Sequence, residues 1–188
     1  MDEKQKTREK LLNAARDSLL EIGHAQSTIK KISARAEVNH GLVHHYFGSK
    51  EALFLEVLLD EKQRFDSQLD SIHSESSMIE FLTKNLFMNA RLLVEFQAMA
   101  GEMPEIKKAI MNVLKLRKTQ LKERLKIKDP VTRDIITSAM IGLAIQYNIN
   151  PEIPKENILK KLFQIFPFDF SNNRKFSEKS RAKNERNT

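Results

Sequence analysis

The chain has 188 residues, 40% of them hydrophobic and 30% charged, with a net charge of +7, enough for one compact domain or for a small module joined to a larger one. The absence of cysteine excludes disulfides, thiolate zinc sites and cysteine nucleophiles, and no apolar run approaches the roughly 20 residues that a membrane helix needs. The charged N-terminus lacks the apolar stretch of a signal peptide, so a cytoplasmic protein with no membrane partner is expected, and with only 5 Gly and 5 Pro its helices should be long and its loops few.

The first helix is predicted over residues 7–22, where Leu11, Leu12, Ala15, Leu19 and Ile22 recur at helical spacing. Gly23 can take the left-handed conformation that ends it. Ser27 or Thr28 can cap a second helix reaching about residue 36, with Ile29, Ile32 and Ala36 as its buried stripe. Glu37 and Val38 make a tight turn. Asn39 can cap a third helix over about 40–47, Gly48 breaks it, and Ser49 caps a long fourth helix carrying Leu53, Phe54, Val57 and Leu58.

Residues 70–77 are polar and turn-rich, and a fifth helix is predicted over about 77–100. Gly101 to Pro104 interrupts, and Pro104 suits the first turn of a sixth helix running to about 127. Asp129 and Pro130 open another helix reaching about 147. A rigid linker with Pro151 and Pro154 leads to a last helix over 155–166, whose apolar face is Ile158, Leu159, Leu162, Phe163 and Phe166, with Pro167 as its stop. From Ser171 the chain is polar and is expected to be disordered. Residues 171–188 hold six basic and two acidic side chains and so carry +4 of the net charge. That makes the basic excess a weak sign of a nucleic-acid partner; the tail reads as a solvated end or as a non-specific DNA tether.

The informative segment is residues 28–51, TIKKISARAEVNHGLVHHYFGSKE. Two short helices held at a steep angle need a small core, which Ile32, Ala36, Val38, Val43 and Phe47 can supply against Leu12, Ala15 and Leu19. The third helix is then free to present Asn39, His40, Leu42, His44, His45 and Tyr46. So many hydrogen-bonding side chains on so short a helix suit base edges and phosphate oxygens. Lys50, in the first turn of the fourth helix, adds its charge beside a helix N-terminus. Histidines 40 and 44 are spaced i, i+4, but a metal needs further ligands and Glu37 in the turn is the one carboxylate at hand, so no metal is expected.

In its order of a capped second helix, Ile-x-x-x-Ala, a Val-Asn turn, Gly41, an aromatic-rich third helix and Phe-Gly-Ser-Lys-Glu, this segment resembles the DNA-binding region of the tetracycline-repressor (TetR) family. With the first helix the resemblance covers about residues 7–58. Beyond them it rests on the succession of helices and on Met140-Ile141-Gly142-Leu143 followed by a proline-containing linker and an amphipathic helix, similar to the family's dimerising pair. The resemblance implies an all-α fold: a helix-turn-helix head over 1–48, a helical ligand-binding and dimerisation domain over 49–170, and the tail over 171–188. It implies that Thr28, His44, Tyr46 and Lys50 hold phosphates and that Asn39, His40, Gly41, Leu42 and His45 face bases. It also implies a homodimer on a palindromic double-stranded operator, with Ala139, Gly142 and Ala144 allowing close helix approach, released by a small-molecule effector.

Three residues depart from the family pattern. Glu37 stands where glycine is usual, and costs about 1 kcal/mol if that turn needs a positive φ. His44 replaces a tyrosine, which makes one phosphate contact sensitive to pH. His40 replaces a lysine or arginine.

Phe96, Met99, Met103, Gln146 and Tyr147 are candidates for an effector cavity, alongside Phe81, Phe87, Met88, Met111 and Met140; methionine suits adaptable pockets, although such residues also simply fill cores. No cofactor is implied. Two other classes remain: a DNA-organising protein on the same fold without an effector, and an enzyme, for which no nucleophile–base pair, phosphate-cradling loop or paired carboxylates stand out.

Overall fold

The computed structural model describes residues 2–88, 90–166 and 168–170, and the side chains of 86–88 lie outside the description. Among the described residues the chain is all-helical: α1 (Glu3–Gln26), α2 (Ile29–Arg35), α3 (Gly41–Phe47), α4 (Lys50–Leu69), α5 (Glu75–Met88), α6 (Ala90–Met99), α7 (Pro104–Arg124), α8 (Pro130–Ile149) and α9 (Lys155–Ile165). No described helix is long and apolar enough to cross a membrane. The tail over 171–188, the stop at Pro167 and the side chains of Phe87 and Met88 lie outside the described residues.

The described residues form two compact units, one of those within 1–62 and 91–111, the other of those within 63–90 and 112–170. The expected head, 1–48, lies wholly within the first. That unit closes on Leu11, Leu12, Ala15 and Leu19 of α1, Ile32 and Ala36 at α2, Val43 of α3, and Leu53, Phe54 and Val57 of α4. Val38 and Phe47 pack against this core while staying partly exposed. Leu92, Phe96, Met99 and Ile106 from α6 and α7 complete it. Each fully buried aliphatic or aromatic side chain here contributes about 1.5–3 kcal/mol. Polar ties edge the core: Arg16 donates to both Asp60 and Glu61, and Arg8 pairs with Glu56 at 2.9 Å.

Local chemistry sets the helix ends. Gly23 adopts φ 75° and breaks the helical run of α1 where the first helix was expected to stop. Thr28 caps α2, its hydroxyl accepting from Lys31 N–H at 3.2 Å, while the Ser27 hydroxyl is buried and donates to the Gly23 carbonyl at 2.7 Å. Asp129 caps α8, its carboxylate accepting from the N–H and the hydroxyl of Thr132, both at 2.6 Å. Those hydrogen bonds hold the Asp129 carboxyl below its ordinary value of 3.8.

In the second unit, Leu69, Ile72, Met78, Ile79, Phe81 and Leu82 pack with Leu125, Ile127, Ile136, Leu143, Leu159 and Phe163. Phe65 meets Phe81 edge-on at 4.7 Å. The buried Arg124 donates to Asp70 and to the Leu69 carbonyl.

The span 77–100 is helical through α5 and α6 on either side of residue 89, which lies outside the described residues. One expected helix is corrected. The helix expected to reach residue 127 ends at Arg124, because the chain turns through Lys126 at φ 60° and so buries both Leu125 and Ile127.

Candidate nucleic-acid interface

The interface is built from the turn that follows α2. Val38 N–H donates to the Ser33 carbonyl at 3.0 Å and Glu37 N–H to the Ala34 carbonyl at 3.2 Å. Together these are the paired bonds of a Schellman motif, with Glu37 at the position glycine favours. Its φ is 56°, so the turn does need a positive φ and the side chain works against it. Val38 then packs on the core of the unit.

Immediately after the turn, the Asn39 side-chain oxygen accepts from Gly41 N–H at 2.8 Å. A Cβ at position 41 would lie 3.3 Å from that oxygen, so glycine leaves room for the amide to close over the start of α3. At the other end, Gly48 takes φ 78° and its N–H donates to the His44 carbonyl at 2.9 Å. The Ser49 hydroxyl accepts from Ala52 N–H at 3.1 Å, capping α4. Both ends of a seven-residue helix are thus held by side chains or by special backbone, which matters because so short a helix has little stability of its own.

Val43 is the one buried residue of α3. Asn39, His40, Gly41, His44 and His45 are exposed. Leu42 and Tyr46 lie between, giving part of their surface to the core, and the His45 ring meets the Tyr46 edge at 4.9 Å. Thr28 is exposed at the start of α2. Lys50 is half-buried in the first turn of α4, its ammonium 5.6 Å from the Phe54 ring centre. The expected contact residues therefore fall on α3 and on the helix starts that flank it.

Sequence reading passed over Lys30 and Lys31, both exposed in the first turn of α2 beside Thr28; lysines between the inward Ile29 and Ile32 were the available signal. It also passed over the start of α1, where Lys4, Lys6 and Lys10 are exposed and the Arg8 guanidinium lies 5.3 Å from the Phe47 ring centre, next to the end of α3. Arg35 is committed elsewhere: its hydrogen bonds to Glu21 hold that carboxyl below the usual range and raise the guanidinium.

The five effector candidates occupy different surroundings. Phe96 and Met99 are closed inside the core of the first unit, and Met103 packs on it partly exposed. Gln146 is exposed on α8. Tyr147 is half-buried in the second unit, with the Lys155 ammonium 4.0 Å from its ring centre. A separate groove of 720 Å³ between α5 and α9 has Thr83, Lys84, Glu156 and Lys160 among its lining residues.

Three helices whose third presents a polar, hydrogen-bonding face from a small shared core define a helix-turn-helix DNA-binding head. Residues 11–57 match the family model described as bacterial regulatory proteins, tetR family. Over that segment the chain is similar to the TetR family. It is 32% identical over 117 residues to the HTH-type transcriptional regulator UidR of Escherichia coli (strain K12), a match spanning 58% of this chain and 60% of UidR. Over 48 residues, 26% of each chain, it is 48% identical to the HTH-type transcriptional repressor Rv3405c of Mycobacterium tuberculosis (strain ATCC 25618 / H37Rv). The solved structure of a TetR transcription regulator from Haloarcula marismortui ATCC 43049 shares the fold with a TM-score of 0.69, covering 84% of this chain and 94% of that one at 15% identity.

Proposed function

We propose that the protein is a transcriptional regulator, acting as a repressor, that binds a palindromic operator as a homodimer and is released by a small-molecule effector. The observation that carries this reading is the outward face of α3, polar and exposed over a single buried anchor, Val43, and braced at both ends. Thr28, His44, Tyr46 and Lys50 hold phosphates and Asn39, His40, Gly41, Leu42 and His45 face bases. Lys30 and Lys31 join the phosphate contacts.

A stripe along α8 supports the dimer. Val131, Ile135 and Ile149 are 63%, 49% and 79% exposed, and Ala139 lies on the same side at helical spacing. Space around Gly142 is open, with nothing within 4 Å of where a Cβ would stand. Ile158 and Ile165 extend the exposed apolar surface onto α9. Ala144 is fully buried within its own unit and takes no part. Paired heads of this class sit about 34–36 Å apart or at a multiple of that. An effector releases DNA only through a differential affinity for the two states. Of the effector candidates, Met103, Gln146 and Tyr147 are reachable without opening a core.

Selection of duplexes from a random library by the purified protein tests the reading. One enriched inverted repeat supports it and reports the head spacing. Binding without any consensus favours a DNA-organising protein, and no binding at any salt concentration overturns both.

A further inference from the structure

We infer that His44 couples DNA binding to the uptake of one proton, because its ring can offer an acceptor atom on DNA an N–H only as the imidazolium. The inference rests on the DNA-binding reading of α3. His44 Nδ1 lies 3.0 Å from the Gly48 carbonyl oxygen. A carbonyl oxygen only accepts, so Nδ1 carries the hydrogen and donates. Gly48 N–H donates in turn to the His44 carbonyl at 2.9 Å. The two residues are therefore tied twice, and the ring is held by a backbone whose φ of 78° suits glycine. With Nδ1 occupied, the outer nitrogen Nε2 meets DNA.

In the neutral ring Nε2 is a bare acceptor, and a phosphate oxygen repels it. So do guanine N7 and O6 and thymine O4 in the major groove. In the imidazolium Nε2 donates, and the bond to a phosphate is charge-assisted. The proton comes from solvent and stays on Nε2 in the complex.

The charged and titratable groups around α3 favour the phosphate encounter. On α3 itself they are His45 and Tyr46, with His40 at its N-terminal cap position. Packed against it, α2 brings Lys30, Lys31 and Arg35, the last paired with Glu21. The turn brings Glu37, α1 brings Arg8, paired with Glu56, and α4 brings Lys50 and Glu51. Lys30, Lys31 and Lys50, with no ion pair among the described residues, stand against Glu37 and Glu51, so the field around the ring draws phosphate.

The sign separates this from the alternative. A neutral Nε2 accepting from cytosine N4 or adenine N6 would bind more tightly as pH rises. Proton uptake makes affinity fall as pH rises, by up to about tenfold per pH unit for one proton, within the range of about pH 5 to 8 where imidazoles titrate.

The experiment measures affinity across that range for a duplex recovered by selection, or for a mixed-sequence duplex at low salt, and counts protons by calorimetry in two buffers of different ionisation enthalpy. The wild-type protein should take up close to one proton on binding. His44→Gln should lose that uptake and the pH slope. His44→Tyr, whose neutral hydroxyl donates, should bind without a slope and regain affinity at the alkaline end. His40→Gln and His45→Gln should keep the slope. A slope that survives in both His44 variants, one that vanishes with His40 or His45, a slope of opposite sign, or none in the wild type overturns the inference. Binding to no duplex at any pH refutes instead the DNA-binding reading beneath it.

Discussion

Replacing Glu37 by glycine isolates the cost of the turn between α2 and α3. At φ 56° an L side chain is strained by about 1–2 kcal/mol. Glycine removes that strain but gives the unfolded chain more freedom, which returns about 0.4–1 kcal/mol. The balance is a gain centred on about 0.8 kcal/mol and at most about 1.6 kcal/mol, the central value being roughly 2–3 °C in melting temperature for a chain of this size. Urea unfolding of wild type and Glu37→Gly should show a higher midpoint at an unchanged slope. Two companion variants separate backbone from charge. Glu37→Asn, tolerant of the left-handed region, should recover part of the gain, and Glu37→Gln, which removes the charge and keeps the strain, should recover little. Equal gains from Glu37→Gln and Glu37→Gly would place the cost in electrostatics and refute the backbone argument. A loss of stability in Glu37→Gly would refute the strain itself.

Lys50→Ala should weaken binding to all duplexes alike and lower the slope of log affinity against log salt by about one contact; an unchanged slope removes Lys50 from the phosphate contacts. The hydrogen bonds that cap α8 hold the Asp129 carboxyl below its ordinary value, so its contribution to stability is present above the unfolded value and lost as pH falls through the lower folded one. Asp129→Asn keeps an acceptor for Thr132 and should flatten that acid limb of the stability profile, read by thermal melting from neutral pH to about pH 3. Ile135→Glu, at an exposed position of the α8 stripe, should leave the helical content intact while shifting the species seen by analytical ultracentrifugation from dimer to monomer. A dimer that persists would move the interface off α8.

The helix ends were legible because their signals are local. Gly23, Thr28, Ser49 and Asp129 act within one helical turn of where they stand, and each is found at the helix end its residue type suggests. The core of the three short helices was legible for the same reason, since helical spacing selects Leu12, Ala15, Leu19, Ile32 and Val43 without knowledge of any neighbour. What periodicity does not carry is the identity of the partner. Phe96 and Met99 read as candidates for a cavity, yet they close the core against α1 and α4 residues, because burial alone does not say what a side chain is buried against. Ala144 shows the same limit: a small residue suits a dimer seam and suits its own core equally, and here it is fully buried in its own unit.

Asn39 brings the backbone and the DNA-facing roles into one side chain, and the geometry limits what it can read. Gly41 N–H only donates, so the atom 2.8 Å away is the amide oxygen. The bidentate pairing of asparagine with adenine needs both amide oxygen and amide nitrogen on the base. With the oxygen spent on the helix start, only the NH₂ group remains, which suits a phosphate, guanine or thymine O4 and not the adenine pair. Asn39→Ser keeps an acceptor for Gly41 N–H and loses the amide donors, whereas Asn39→Ala loses both. If the cap is the main role, the serine variant should unfold like wild type, and the alanine variant should lose about 1 kcal/mol. If the NH₂ contact is the main role, both variants should lose DNA affinity by the same factor. A selection in which Asn39→Ser relaxes preference at an adenine, with no change at any other base, would mean that the amide leaves Gly41 when DNA binds. The start of α3 would then be remade in the complex rather than set beforehand.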